Sequence, residues 1–332
     1  MKISKNVIEV SKEYLQGAYK NTSISNESLN IIPIKGYLTT NVYRMTYSHD
    51  SLNITCYIKE SCNLEHDGYN KFIEDEYKNT KYIYQNFISN EIISVVKPLI
   101  YYPKYNSFFM EEIKGDRLDN VIIRLVLFRK KDTLISIIKS CKNWLHQFQL
   151  IELTSDLAGN EYDFCHRELK KIKRIHERTL QNCEDSEVEL IDKLYARLHE
   201  LFRDITISET DITLKHNDFA PWNIMLNGES ITVYDFADIQ VDYKFYDLIY
   251  FVHSLNKLAS KVPYNKAVFK LLQETMLEGT DISESTKSYY FMHFYLQDID
   301  SLVRKIKAGG FMSYIYRYKY MTVKNKIIKY LN

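Results

Sequence analysis

The pattern of apolar positions changes character once along the chain, near residues 112–116. Before that point, residues 31–60 alternate β-branched or aromatic runs with polar turns, and residues 93–115 contain two further runs that end at Gly115. These patterns predict β-strands. Between them lies one long helical segment, whose predicted inward face consists of Phe72, Glu76, Thr80, Ile83 and Phe87.

After Gly115 the apolar residues follow a helical period. The spacing predicts four helices, at 119–130, 132–150, 165–181 and 186–205. A short β segment at 212–236 interrupts them, and Asn227-Gly228 is a good hairpin turn inside it. Helices are predicted again from Asp247 to the end of the sequence.

Together these elements predict an α+β protein with two parts. Residues 1–113 would form a small antiparallel sheet with one helix, and residues 114–332 a larger, mainly helical part. The length of 332 residues allows two such lobes, because single cores usually stop growing at roughly 250–300 residues.

Composition narrows the class of protein. The net charge of +1 gives no support to a protein that binds nucleic acid with its whole surface, and no such partner is expected. The five cysteines include no C-x-x-C pair, which is typical of free thiols in a reducing compartment. No signal peptide and no run of 18 uncharged apolar residues is found, so we expect a cytoplasmic protein without a transmembrane segment.

Chemically capable side chains are concentrated in "KHNDFAPWNIML" (215–226) and the following "VYDFAD" (233–238). The first segment places His216, Asp218 and Asn223 on one predicted loop, and Asp235 ends a strand that pairs with "NIML". Transfer of a phosphate group requires a carboxylate beside the acceptor hydroxyl and oxygen ligands for Mg²⁺. Asp218 can supply the first, and Asn223 with Asp235 the second.

Phosphoryl transfer also needs a lysine that reaches the phosphates that are not transferred. Lys59 lies late in the predicted strand "ITCYIKE", and Glu76, on the inward face of the next helix, could hold it through an ion pair. The alternatives without a catalytic role are turn formation for Asp218 and Asn223, and a surface position for Lys59. His216 is expected to be structural.

These residues resemble the aminoglycoside phosphotransferase and choline kinase superfamily, the small-molecule relatives of the protein kinases. "HNDFAPWNIML" with "ITVYDFAD" is similar to the catalytic loop and metal-binding strand of that family. Four more segments resemble family motifs in the same order: "GYLTTNVYRM" (36–45), "FFMEEIKGDRL" (108–118), "NWLHQF" (143–148) and "DYKFYDLIY" (242–250). The matches span about two thirds of the chain. The resemblance implies a two-lobed protein-kinase-like fold.

The resemblance also implies roles for individual residues. Asp218 would be the catalytic base, Asn223 and Asp235 the Mg²⁺ ligands, and Lys59, held by Glu76, the ligand of the ATP phosphates. The phosphate loop keeps a single glycine, Gly36, where the family usually has more. Other residues would support binding and structure: Thr39, Thr40 and Asn41 at the phosphates, Met110, Glu111 and Ile113 at the adenine, and His216 and Asp247 beneath the catalytic loop.

The expected activity is an ATP- and Mg²⁺-dependent transfer of phosphate to a hydroxyl of a small molecule, such as a sugar, amino-alcohol, aminoglycoside-like compound or glycan precursor. A pseudokinase scaffold that binds nucleotide and regulates a partner is the alternative, favoured only by the thin phosphate loop. A protein kinase is disfavoured, because few residues separate "DFAD" from Asp247.

The sequence from Asn256 onward is basic, with 13 Lys and Arg against 6 Asp and Glu. A solvated helix face explains such a stretch, and contact with an anionic surface or acceptor is the alternative. Aminoglycosides are polycations, so the basic stretch mildly disfavours them. Four acids keep them possible: Glu274, Glu278, Asp298 and Asp300.

Overall fold

The computed structural model of the chain describes residues 3–19, 28–36, 40–49, 52–61, 67–153, 164–205 and 211–331. Within these ranges it contains ten α-helices and eleven β-strands. The predicted α+β class is confirmed.

Most of the strands come early in the chain. They are β1 Leu29–Gly36, β2 Thr40–His49, β3 Leu52–Ser61, β4 Ile93–Val95, β5 Pro98–Tyr102, β6 Ser107–Glu111, β7 Asp116–Arg117, β8 Ile212–Lys215, β9 Ile224–Asn227, β10 Ser230–Val233 and β11 Gln240–Tyr243. The helices dominate the second half. They are α1 Lys5–Ala18, α2 Asp67–Asn86, α3 Leu118–Leu127, α4 Lys131–Gln149, α5 Phe164–Leu180, α6 Asp185–Arg203, α7 Tyr246–Ala259, α8 Lys266–Leu277, α9 Glu284–Lys307 and α10 Ser313–Leu331.

The chain packs into two compact units, and each is built from two stretches of sequence. The first unit comprises Met1–Ile151 with Pro221–Ile239, and the second Glu152–Ala220 with Gln240–Asn332. The predicted lobes divide the chain once, at 113/114, whereas each of these units combines two separate stretches. The division into lobes stays a prediction.

The first unit contains a five-stranded antiparallel sheet in the order β1-β2-β3-β6-β5. Helix α1 packs on this sheet through Val7, Val10 and Leu15, which recur at helical spacing and join a core that includes Tyr43 and Phe109. The Ser4 hydroxyl caps α1 by accepting a hydrogen bond from Val7 N at 3.1 Å. This helix adds to the single one that the sequence predicts for the N-terminal part.

A second sheet of the first unit has the order β4-β10-β9-β7. The β9–β10 hairpin is the predicted one, but its turn lies one residue later, since Asn227 pairs with Ser230 and Gly228-Glu229 make the turn. The chain reaches β7 through Gly115, at φ 107°, where a Cβ atom would lie 2.1 Å from the Leu226 carbonyl oxygen. Only glycine allows so close an approach at this φ.

The second unit is mainly helical. Its only sheet among the described residues pairs β8 with β11 antiparallel, so that Gln240 lies opposite Lys215. The large buried side chains of α7 and α9, such as Tyr246, Tyr289, Tyr290 and Phe294, pack against one another beside this pair of strands. No helix of the described residues is both long and apolar enough to cross a membrane.

Candidate active site

In the first unit, Lys59 is buried between two carboxylates. Its Nζ lies 2.7 Å from Glu76 Oε1 and 2.9 Å from Asp235 Oδ1. Lys59 comes from β3, Glu76 from the inward face of α2, and Asp235 from the residues just after β10. The side chain of Glu76 is 2% exposed, whereas that of Asp235 is 33% exposed. The structure therefore brings these three predicted residues together.

The surroundings fix the charge of this cluster. Burial by itself lowers the pKa of Lys59, but the carboxylates of Glu76 and Asp235 outweigh it, so the pKa is raised and the ammonium stays charged. Burial raises the pKa of Glu76 to about 7, against the opposing effect of Lys59. The second oxygen of Glu76 finds no hydrogen-bond partner among the described residues. The lysine is thus held charged, and burial disfavours the charge of its partner Glu76.

Asn223 and Asp235 lie at the same end of the β9–β10 hairpin. Ile224 pairs with Val233, and Tyr234 N donates to the Asn223 carbonyl at 3.1 Å, so both residues leave the hairpin where its strands meet the loops. Asp235 has φ 71°, a left-handed conformation that Asp tolerates better than most residues. One carboxylate and one amide are a donor set that suits Mg²⁺, which takes its remaining oxygens from phosphates and water.

Phe236 holds the segment that carries Asp235. Its ring is buried and stacks near Trp144 and Phe148, with centroids 6.3 and 6.4 Å away. The Asn79 side-chain amide of α2 donates to the Phe236 carbonyl at 3.2 Å. The helix that supplies Glu76 therefore also positions the backbone beside Asp235.

The predicted phosphate loop falls at the start of β2. Thr40 is buried opposite Ser61, and Asn41 lies opposite Glu60, the neighbour of Lys59. The Glu60 carboxylate accepts hydrogen bonds from Ser4 Oγ at 2.7 Å and Tyr43 Oη at 3.1 Å, and the Asn41 side chain also binds it. Thr39 lies outside the described residues. The roles of Thr40 and Asn41 with phosphate stay predictions.

The predicted adenine-binding segment follows β6. Met110 is buried within the sheet, Glu111 is exposed, and Ile113 is half-buried. The Glu111 amide already donates to the Lys97 carbonyl at 2.9 Å. Of the two backbone groups of Glu111, the carbonyl is therefore the one that we predict to contact adenine.

In the second unit, Asp247 of α7 lies beneath the loop that follows β8. Its carboxylate accepts hydrogen bonds from His216 N at 2.6 Å and Asn217 N at 3.0 Å. Asn217 has φ 69°. Burial raises the pKa of Asp247 to about 6, although His216 and these amides oppose the shift. Since His216 is fully buried and its ring lies tilted beside that of Phe219, with centroids 6.2 Å apart, the loop is anchored on both sides of Asn217.

Asp218 is half-exposed and accepts a hydrogen bond from Tyr250 Oη at 2.8 Å. Tyr250 is not among the site residues predicted from the sequence. It lies three residues after Asp247 on α7, and such residues share a helix face. That spacing is the signal that could have identified it.

A second buried lysine lies one residue before His216. Lys215 forms an ion pair with Asp242 of β11, and its Nζ lies 4.0 Å from the centre of the Tyr246 ring. The two side chains are 2% and 5% exposed. Sequence reasoning missed this pair because its members are 27 residues apart and look like ordinary strand residues.

All four acids that kept a polycationic acceptor possible have interaction partners, and three of them lie in the ion pairs that follow. Asp298 binds His253 at 2.9 Å and Lys257 at 2.7 Å. Asp300 binds Arg178 at 2.6 Å and Arg304 at 2.9 Å. Glu274 lies 3.8 Å from Lys270 on the exposed face of α8.

Comparison with known proteins also indicates similarity to phosphotransferases. Residues 144–268 match the model of the phosphotransferase enzyme family, APH. No curated protein sequence matches the chain.

Several solved structures share the fold. A thermostable mutant of aminoglycoside phosphotransferase APH(4)-Ia is 10% identical, covers 96% of this chain and 97% of its own, and has a TM-score of 0.62. Spectinomycin phosphotransferase APH(9)-Ia, bound to ADP and spectinomycin, is 14% identical, with 97% of each chain covered and a TM-score of 0.60. Amicoumacin kinase hAmiN, bound to AMP-PNP, Ca²⁺ and Ami, is 12% identical, with 98% of this chain and 96% of its own covered and a TM-score of 0.59.

The predicted resemblance to aminoglycoside phosphotransferases is therefore confirmed, and the chain has their kinase-like fold.

Proposed function

We propose that the protein is a phosphotransferase that moves the γ-phosphate of ATP to a hydroxyl group of a small molecule, with Mg²⁺ as cofactor. The observation that carries the proposal is the burial of Lys59 between Glu76 and the partly exposed Asp235. A lysine in a surface strand would not be placed there, because burying an ammonium costs free energy unless partners compensate.

Each residue has a role that its surroundings support. Lys59 binds the α- and β-phosphates, and Glu76 keeps its side chain extended toward them. Asn223 and Asp235 hold Mg²⁺, which when bound would neutralise charge on the phosphate oxygens. The acceptor oxygen attacks the γ-phosphorus, the bond to the bridging oxygen of ADP breaks, and the proton of the hydroxyl passes to Asp218.

Two contacts of the second unit fit the role of Asp218. Tyr250 Oη donates to one carboxylate oxygen and so orients the group. Asp247 accepts hydrogen bonds from the amides of His216 and Asn217, the two residues that precede Asp218. A base that must meet a hydroxyl in one orientation needs such support, because misplacement reduces the rate of proton transfer.

The test is an untargeted one. The purified protein is incubated with ATP, Mg²⁺ and a metabolite extract of its source cell, beside Asp218→Asn, and mass spectrometry identifies compounds that gain one phosphate. We expect a product with the wild type and a loss of at least about 10²-fold with the variant, as for removal of a general base. Melting temperature and nucleotide affinity should remain unchanged.

Two outcomes would contradict the proposal. Near-normal transfer by Asp218→Asn would reject the role of this residue. Tight binding of ATP without any phosphorylated product from any extract would favour a scaffold that binds nucleotide without transferring phosphate.

A further inference from the structure

A cavity of about 250 Å³ opens in the second unit between α5 and β11. One wall is a face of α5, on which four cationic side chains recur at helical spacing: Arg167, Lys170, Lys171 and Arg174. Glu168, Gln240 and Asp242 complete the lining. No role proposed above uses this cavity.

The cations of this wall retain donors for a ligand. Lys170 and Arg174 are exposed, and neither forms an ion pair with any residue of the described ranges. The buried Nζ of Lys171 has no hydrogen-bond partner there, and its nearest carboxylate oxygen, on Glu168, lies 3.8 Å away. Arg167 uses one nitrogen to donate to the Val241 carbonyl at 2.9 Å.

The carboxylates of the lining are already engaged. Asp242 binds the buried Lys215 and accepts a hydrogen bond from Tyr243 N at 2.7 Å. Glu168 accepts one from Tyr289 Oη at 3.3 Å. Because Lys215 neutralises Asp242, Glu168 is the one acid among the described lining residues that opposes the four cations, and the cavity favours a ligand with more than one negative charge.

The cavity lies close to the proposed catalytic base. Gln240, in its lining, pairs across the β8–β11 ladder with Lys215. Asp218 follows Lys215 by three residues, which span at most about 11 Å of extended chain. The backbone of the cavity lining and that of Asp218 therefore lie within the length of a small molecule of one another in the second unit.

We propose that this cavity binds a phosphate group of the acceptor, so that the acceptor is a small hydroxyl compound that already carries a phosphate. This inference rests on the proposed function and specifies its substrate class. The engaged state of Asp298 and Asp300 agrees with it, because neither acid is available for a polycation.

The first experiment measures binding of inorganic phosphate by calorimetry. The test variant is Lys170→Gln/Arg174→Gln. The control is Lys173→Gln/Lys193→Gln, which removes the same charge from exposed lysines that pair with glutamates on their own helices, at 3.9 and 2.7 Å. We expect the test variant to weaken phosphate binding at least about tenfold, since it loses two charge-assisted contacts. The control should bind as the wild type does. Equal binding by the test variant and the wild type would overturn the inference.

The second experiment separates this inference from the proposed function. The metabolite extract is divided by anion exchange, and each fraction is offered to the enzyme with ATP and Mg²⁺. Phosphorylated product from the retained fraction, with an acceptor KM raised at least about tenfold in the test variant and an unchanged KM for ATP, would support the inference. Product only from the neutral or cationic fractions would overturn it and leave the proposed function standing. No product from any fraction would reject both.

Discussion

Among the described residues, each compact unit has a buried lysine in an ion pair, Lys59 in the first and Lys215 in the second, and the two differ in how exposed their carboxylate partners are. Lys215 and its partner Asp242 are both almost fully buried. Lys59 is also largely enclosed, with 10% of its side chain exposed against 2% for Lys215, but one of its two partners, Asp235, is one-third exposed. A buried lysine is therefore not in itself a sign of function. An accessible partner is the more informative feature, because the ion pair can then open toward a ligand.

The largest expected effect comes from breaking the enclosed pair. Lys215→Met should lower the free energy of unfolding by about 3–5 kcal/mol, because it leaves the Asp242 charge buried without compensation. The matched variant, Lys59→Met, should destabilise less, since Asp235 can turn to water and Glu76 can take up a proton. Urea unfolding of both variants measures the difference.

Adding Asp242→Leu to Lys215→Met should restore part of the lost stability, because it removes the orphaned charge. Equal destabilisation by Lys215→Met and Lys59→Met would show that exposure of the partner has no consequence for these pairs.

A smaller effect concerns Asp247, whose carboxylate is enclosed but bound to amides rather than to a lysine. Its pKa is raised to about 6 by burial, so the folded protein binds a proton more tightly than the unfolded chain does. Stability therefore falls as pH rises from about 4 to 6, by roughly 2–3 kcal/mol at 1.36 kcal/mol per pKa unit. In Asp247→Asn this decline should be missing.

Unfolding midpoints at pH 4 and pH 7 test this. The wild type should lose stability relative to Asp247→Asn as pH rises, because only the wild type must bury a charge. A difference that stays constant between the two pH values would show that Asp247 does not titrate in this range.

The smallest effect is expected at the accessible carboxylate of the second unit. Tyr250→Phe removes the hydroxyl that orients Asp218, and a hydrogen bond of about 0.5–1.5 kcal/mol corresponds to a two- to tenfold decrease in kcat. Tyr105→Phe is the control, since Tyr105 Oη also donates to a carboxylate, that of Glu13. An unchanged kcat in Tyr250→Phe would mean that Asp218 needs no such support.

Features with a local period were predictable from the sequence. The four helices from α3 to α6 begin and end within a few residues of the predicted positions, because each buries one stripe of apolar side chains. The same reasoning placed Glu76 on the face of α2 that meets Lys59. The apolar positions Val7, Val10 and Leu15 of α1 follow this period too, although no helix was predicted there.

Features that depend on distant partners were not predictable. Strand β4 has three residues and gains its stability by pairing with β10, more than 130 residues later. The Lys215–Asp242 pair depends on the β8–β11 ladder, in which β11 is four residues long. Short strands carry little periodic signal, and a single sequence does not show which strands will pair.

The left-handed backbone at Asn217 and Asp235 has an evolutionary consequence. At Asn217 the fold needs a positive φ and a backbone amide that donates a hydrogen bond to Asp247. Glycine can provide both. At Asp235 it needs the same unusual angles together with a carboxylate for Lys59, and no other residue combines the two as well. Substitution by glycine is therefore compatible with the fold at Asn217, whereas Asp235 is constrained to aspartate, although their backbone conformations are nearly the same.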